Sequence, residues 1–516
     1  MANDEGSAPK TGGRIEGGVD AVVIGASVDG LAAAALLGKA GYRTILIGAG
    51  GAELDDARRE FEPGYFAIDG EHLVTHLDPE LAAALDLYRH GLSFANRRLD
   101  TVYFFSDGGA LLTEGDLYKT RESVVAMAAA DASRFADFIE LALDTGRALR
   151  PFFEGGPMPS MAEPIAAAAE QFLTAAIDDV LESAFADAHL KSLLAAEASL
   201  RSAARPGEPF GFSSLLLRWA GEAAGLQAAA AYPEGGAAGV KRALRRAAQA
   251  ARVDFRPSIG VTRVLVEWDG VAGVETIDGG QVRAPIVINA LSAREAFLDL
   301  VGPMLLDIEF QSALAAPKPT IAAARLHFAI KGEPDDERTR ANLTRRLVYA
   351  PSKEELLRGH GAARHGEVAS PVIMEALFPS AYDRSLAPAG CHVVSAWLHP
   401  VPFRAAEDAE LREKVVDAAR DAFKRIAPSL ADLVLAVDVR LPADEAKASG
   451  MAAELFAASP SVLQGWSRAR RLTEASGVAG YFFCGPEAQI GPGISGAAGR
   501  RAAREAIRFS KTRAHA

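Results

Sequence analysis

Two glycine-rich segments at opposite ends of the chain carry the residue types and spacing of a nucleotide site. Asp20-Ala-Val-Val-Ile-Gly25-Ala-Ser27-Val-Asp-Gly30 leaves an apolar run and enters the Ala-rich stretch Leu31–Ala40. That is a buried strand, a tight turn and a helix, the arrangement that brings a diphosphate against a helix N-terminus. In the dinucleotide fingerprint the first glycine makes the turn, the second lets phosphate reach the backbone, and the third lets helix and strand pack closely. Gly25 and Gly30 fill the first and third places, and Ser27 stands in the second. An acid about 20 residues on should hold the ribose. There the chain reads Ile47-Gly48-Ala49-Gly50, and the nearest acids are Glu53, Asp55 and Asp56. The far segment, Gly480 to Gly485 and then Gly491-Pro-Gly493-Ile494-Ser495-Gly496-Ala-Ala-Gly499-Arg500, reads as a second strand, glycine loop and helix. The plain alternative is a βαβ unit that packs and binds nothing.

Other candidates weigh less. His72 and His76 are spaced i, i+4 and on a helix would share a face as metal ligands do, but no third ligand accompanies them. Capping or packing is the simpler reading, and no metal site is assigned. A nucleophile elbow at Ser27 needs glycine two places later, where Asp29 stands, so a hydrolase is set aside. Phe210 to Trp219 is read as a buried helix, with a lipid channel or peripheral membrane contact as the alternative. Cys484, on a strand entering the terminal loop, is read as an inert buried thiol.

These residues need elements to position them. Strands are expected at Ala21–Ile24 and Arg43–Ile47 around a helix that Gly41 ends. Asp116 to Leu200 is helical in period, with Phe135, Phe138 and Ile139 on one face, and is broken near Pro151–Pro164. Val261–Trp268, Val271–Ile277 and Val282–Asn289 read as a β-meander with turns at Asp269-Gly270 and Asp278-Gly280. A helix over Ala290–Leu306 and strands at Thr320–Ile330, Val372–Leu377 and His392–Trp397 follow. At 516 residues and 49% hydrophobic content, two or three packed units are expected. Net charge is −12, from 55 basic and 67 acidic residues without a basic cluster, which argues against nucleic acid. Two cysteines make no disulfide framework and fit a reducing cytoplasm. No apolar run reaches the ~18 residues of a membrane span, and Met1 to Gly18 reads as a disordered leader.

Along almost its whole length the sequence resembles the phytoene-desaturase-like flavin-dependent oxidoreductases. The resemblance rests on Gly64 to Pro79, His90-Gly-Leu-Ser-Phe94, Tyr232-Pro-Glu-Gly-Gly236, Phe297 to Pro303, Pro379-Ser380, Ser385 to Pro388, and Cys484 through Arg500. It implies an α/β fold of the amine-oxidase and phytoene-desaturase architecture, with a Rossmann-like FAD-binding domain built from residues 19–75, 228–302 and 468–512. A mixed α+β substrate or cap domain is implied from residues 76–227 and 303–467. It also implies FAD lying between the two glycine loops. Gly25, Ser27 and Gly30 would face the diphosphate, Val261 the adenine, and Gly485, Gly493, Ile494 and Ser495 the diphosphate and ring end. The implied reaction moves a hydride from an apolar or lipid-like molecule to flavin N5, with no catalytic side chain assigned.

The chain departs from that family at several points. Ser27 and Gly48 replace a glycine and a glutamate, Ala52–Asp55 replaces an Arg-x-Gly-Gly sequence, the segment around Met451–Ser459 is altered, and Gln489-Ile490 stands for Thr-His. The competing expectation is therefore a flavin-free or weakly binding relative acting as a scaffold, alone or beside an active paralogue. On the first reading, Ser27→Gly with Gly48→Glu should tighten FAD.

Overall fold

The computed structural model describes residues 18–48, 58–115, 117–268, 270–314, 319–449, 453, 457–458, 461–474, 477–491 and 493–515. The leader to residue 17, the acids at 53, 55 and 56, and most of the segment at 451–459 lie outside the described residues.

The chain begins with β1 (Ala21–Ile24), α1 (Val28–Lys39) and β2 (Thr44–Ile47). Three later strands join them: β3 (Asp254–Arg256), β4 (Val287–Asn289) and β5 (Tyr481–Phe483). All pairings are parallel, and the order is β3-β2-β1-β4-β5. A parallel sheet is covered on both faces, so its strands are continuous apolar runs without alternation. β1, β2 and β4 are buried at every position. The terminal helix α2 (Ala497–His515) and the helix Gly236–Ala250 both lie against α1. Ala32 to Ala35 are wholly buried, and side chains this small let α1 sit close to its neighbours. Gly41 ends α1 with φ +91°, as a helix C′ glycine does.

A second sheet runs in the order Val434–Arg440, Ile321–Ile330, His392–Pro402, Ile373–Leu377, Arg346–Ala350, Thr101–Phe105, Ala110–Thr113. Helix Ala409–Ile426 packs on one face, and Phe328 stacks on its Phe423 at 4.7 Å. The helices of Leu117–Ser199 form a separate apolar core around Phe135, Phe172 and Leu194.

Two expectations are corrected, and the histidine pair is placed. Val282–Asn289 is not one meander strand: Gln281–Arg283 ends the antiparallel meander, and after Pro285 the chain enters the parallel sheet as β4. Proline has no amide hydrogen for the ladder, and the break falls there. Ala290–Leu306 is a π-helical stretch at Arg294–Val301 followed by a 3₁₀ turn at Pro303–Leu305. His72 and His76 lie in an irregular segment, not on a helix, and their rings have different partners.

Candidate functional site

β1 pairs with β2 on one side and β4 on the other, so the strand order reverses at its carboxyl end, where ligands of open α/β sheets bind. Gly25 turns out of β1 with φ +95°, a conformation that side chains disfavour. Gly30 is held to glycine by packing, since a Cβ there would stand 2.1 Å from the Gly25 carbonyl oxygen. Ser27 does not simply crowd the turn. It is extended (φ −66°, ψ 172°), and its Oγ accepts the Gly30 N–H at 3.1 Å as the N-cap of α1. A cap of this kind is worth about 1 kcal/mol. The cap consumes one first-turn amide and leaves the serine hydroxyl hydrogen to donate to an anion.

Asp29, in the first turn of α1, is completely enclosed. Its Oδ1 accepts the Gly499 N–H of α2 at 2.8 Å, and its Oδ2 accepts Gln489 Nε2 at 2.5 Å. Burial pushes its carboxyl up to about 6, against the pull of the Gly499 amide and Gln489. The helices cross so closely that a Cβ on Gly499 would lie 2.1 Å from the Asp29 carbonyl oxygen.

Position 48 carries no ribose acid and has no room for one. A Cβ on Gly48 would stand 2.7 Å from the Pro257 carbonyl oxygen and 3.0 Å from its Cα. Backbone cannot move aside as a flexible side chain does, so the expected gain from Gly48→Glu is withdrawn.

Gly493, Ile494 and Ser495 line a cleft of about 100 Å³. Gly493 has φ +123° with nothing within 4 Å of an added Cβ. The Ser495 carbonyl accepts the Asp78 N–H at 2.9 Å, which pins the loop. Gly485 is packed instead, an added Cβ meeting the Leu291 carbonyl oxygen at 1.9 Å. Val261 opens the meander opposite Thr276. Gly25, Ser27, Gly30, Gly485 and Val261 are not among the residues that line this cleft. Residues fit an extended dinucleotide at the glycine turn with the helix start behind it and at the Gly493–Ser495 loop. At the end of β2, Gly48 offers no carboxylate to a ribose.

The cleft also holds charged groups that sequence spacing did not reveal. His76 Nδ1 accepts the Glu222 N–H at 3.1 Å, so the neutral ring carries its hydrogen on Nε2, 3.6 Å from Glu154 Oε1. Burial keeps His76 neutral, down to about 4, and burial with nearby Asp78 pushes Glu154 up to about 7. Arg500 ties Glu154 Oε2 (2.8 Å), Glu80 (2.6 Å) and Asp78 to α2. At the inner wall, Arg346 bridges Glu197 and Glu375, each at 2.5 Å, and Arg218 reaches Glu197 at 2.8 Å. Tyr103 donates to Glu197 at 2.7 Å, and His72 lies 3.5 Å from Glu375. Burial alone would raise Glu375, but Arg346 with His72 and Arg218 holds it well below the usual carboxylate range. Among the described residues no group of three or more His, Cys, Asp or Glu is arranged to hold a metal, and no helix is long and apolar enough to cross a membrane.

No family model matches the chain. It is 26% identical over 548 residues to pyridine nucleotide-disulfide oxidoreductase domain-containing protein 2 of Rattus norvegicus, covering 95% of this chain and 94% of the relative. A triple variant of putrescine oxidase shares the fold with TM-score 0.62 and 15% identity, over 96% of this chain and 99% of that one. An oxidoreductase from Methanosarcina mazei shares it with TM-score 0.61 and 17% identity, over 95% of this chain and 100% of that one. The resemblance read in the sequence and the α/β architecture it implied are borne out.

Proposed function

We propose that this chain, similar along its length to that oxidoreductase-domain protein, is an FAD-dependent oxidoreductase acting on an apolar or lipid-like small molecule. When bound, FAD supplies a two-electron acceptor at ring N5. The observation that carries the reading is the seating of the terminal glycine segment on the start of α1, where Asp29 accepts the Gly499 N–H and Gln489 Nε2, beside the strand-order reversal. The turn and the positive end of α1 bind the diphosphate, with the Ser27 hydroxyl as one donor. Gly493 to Ser495 hold the ring end, and Phe153, Leu200, Leu217 and Ile490 keep water from it. Glu154 accepts the proton that a substrate O–H or N–H gives up, because its carboxyl is poised at about 7. Arg500 fixes one of its oxygens, and the His76 Nε2–H faces the other.

The second reading, a scaffold that no longer holds flavin, draws on Gly48 against Pro257 and on the buried Asp29 carboxylate. One measurement separates the two. Flavin absorbance near one equivalent in the purified protein, with a rise in melting temperature on adding FAD to the stripped protein, supports the enzyme. A colourless protein that FAD does not stabilise leaves the scaffold.

A further inference from the structure

A second cavity of about 540 Å³ opens beside the first, among helices Ala132–Phe153 and Ala188–Ser199 and strand Thr101–Phe105. Thr75, Glu197 and Arg218 line both cavities, so the Glu197–Arg218 ion pair stands in the wall between them. The volume is that of a site for a small organic molecule. One side is apolar, made by Phe135, Ile139, Leu143, Leu193, Leu194 and Trp219.

The charges on the other side are matched, with one exception. Arg218 and Arg346 share Glu197 and Glu375, Arg147 has Asp144 at 2.6 Å, and Glu114 has Lys119 at 3.7 Å. Arg98 donates from Nη1 to the Gly115 carbonyl (2.7 Å) and from Nη2 to the Gln227 carbonyl (2.9 Å). Its stem presses on Gly115, where a Cβ would lie 2.4 Å from the Arg98 Cδ. Among the described residues no carboxylate pairs with it. Two neutral carbonyls fix the guanidinium without cancelling its charge, and a guanidinium so fixed matches a carboxylate geometrically and electrostatically.

We infer that this chamber binds an amphipathic carboxylate, its hydrocarbon chain along the apolar side and its carboxylate on Arg98. The inference adds a substrate class to the redox reading above, but binding alone tests it, in protein with or without FAD. Decanoate, decanol and decylamine differ only in the head group, and their affinities are compared by calorimetry. Decanoate should bind about tenfold more tightly than decanol, the return on one charge-assisted contact, with decylamine weakest. Arg98→Gln should bring decanoate down to decanol, and Arg98→Lys should keep most of the preference. Leu143→Trp, which fills the chamber from a half-buried position, should weaken all three ligands. Circular dichroism and melting establish that each variant is folded. Equal affinity for the three ligands, or a preference that survives Arg98→Gln or is untouched by Leu143→Trp, would overturn the inference. A protein that binds decanoate as described yet never holds FAD would remove the redox reading and leave the chamber.

Discussion

Asp29→Asn should stabilise the protein at neutral pH, by an amount that disappears in acid. The Asp29 carboxyl moves from 3.8 to about 6 on folding because it is sealed between α1 and α2. Its folded pKa is raised, so the native state binds the proton more tightly than the unfolded chain does. The associated stability is fully present below the unfolded value and is lost as pH rises through the folded value. A shift of about two units amounts to about 3 kcal/mol lost between about pH 4 and pH 7. Asparagine keeps an oxygen for the Gly499 N–H, and rotation of the Gln489 amide gives its new N–H₂ group an acceptor. The assay is the melting temperature of both proteins across that range. At roughly 2 °C per kcal/mol or less for a chain of this size, the two curves should diverge by a few degrees with rising pH. A constant offset would report only altered hydrogen bonds, so the diagnostic is the difference in slope. Parallel curves would refute the premise that an ionised carboxylate is trapped at this crossing.

Gly48→Glu should destabilise by about 1–3 kcal/mol through its clash with Pro257 and give no gain in FAD affinity, both read by melting with and without FAD. Glu154→Gln should abolish a transition near pH 7 in the flavin absorption spectrum of the holoprotein; a transition that persists would assign the titration to another group. Arg346→Met leaves Glu197 and Glu375 buried with Arg218 alone to balance two carboxylates, and should cost about 3–5 kcal/mol in chemical denaturation.

The nucleotide fold was legible because its signals are local. An apolar strand, a turn glycine and an Ala-rich helix occupy adjacent residues in Ala21–Lys39, and the terminal loop repeats the pattern. What stayed hidden depends on residues far apart in the chain. Glu197, Arg218, Arg346 and Glu375 meet only after four elements have packed, and no spacing announces such a cluster. Glu154 sits at the C-cap of a long helix, and its role comes from Arg500, over three hundred residues away. Ser27 departs from the glycine pattern, and its type alone does not show that its oxygen caps the amide three residues on. Gly48 shows the reverse: the acid was seen to be missing, but only Pro257 explains why none can return.

The parallel sheet sets a timetable for synthesis. β1 leaves the ribosome long before its sheet is complete: β5, which pairs with β4, and α2, which covers α1, follow only after Gly480. At about 5–20 residues per second, translation from β1 to β5 takes roughly half a minute to a minute and a half. From the moment β4 emerges until β5 follows, β4 is an open sheet edge and the face of α1 that α2 covers is bare. Such surfaces are what chaperones hold and what sticks to other chains. A chain cut short before Gly480 would be denied both its edge strand and its second glycine loop, so the same late segment that closes the site also closes the fold.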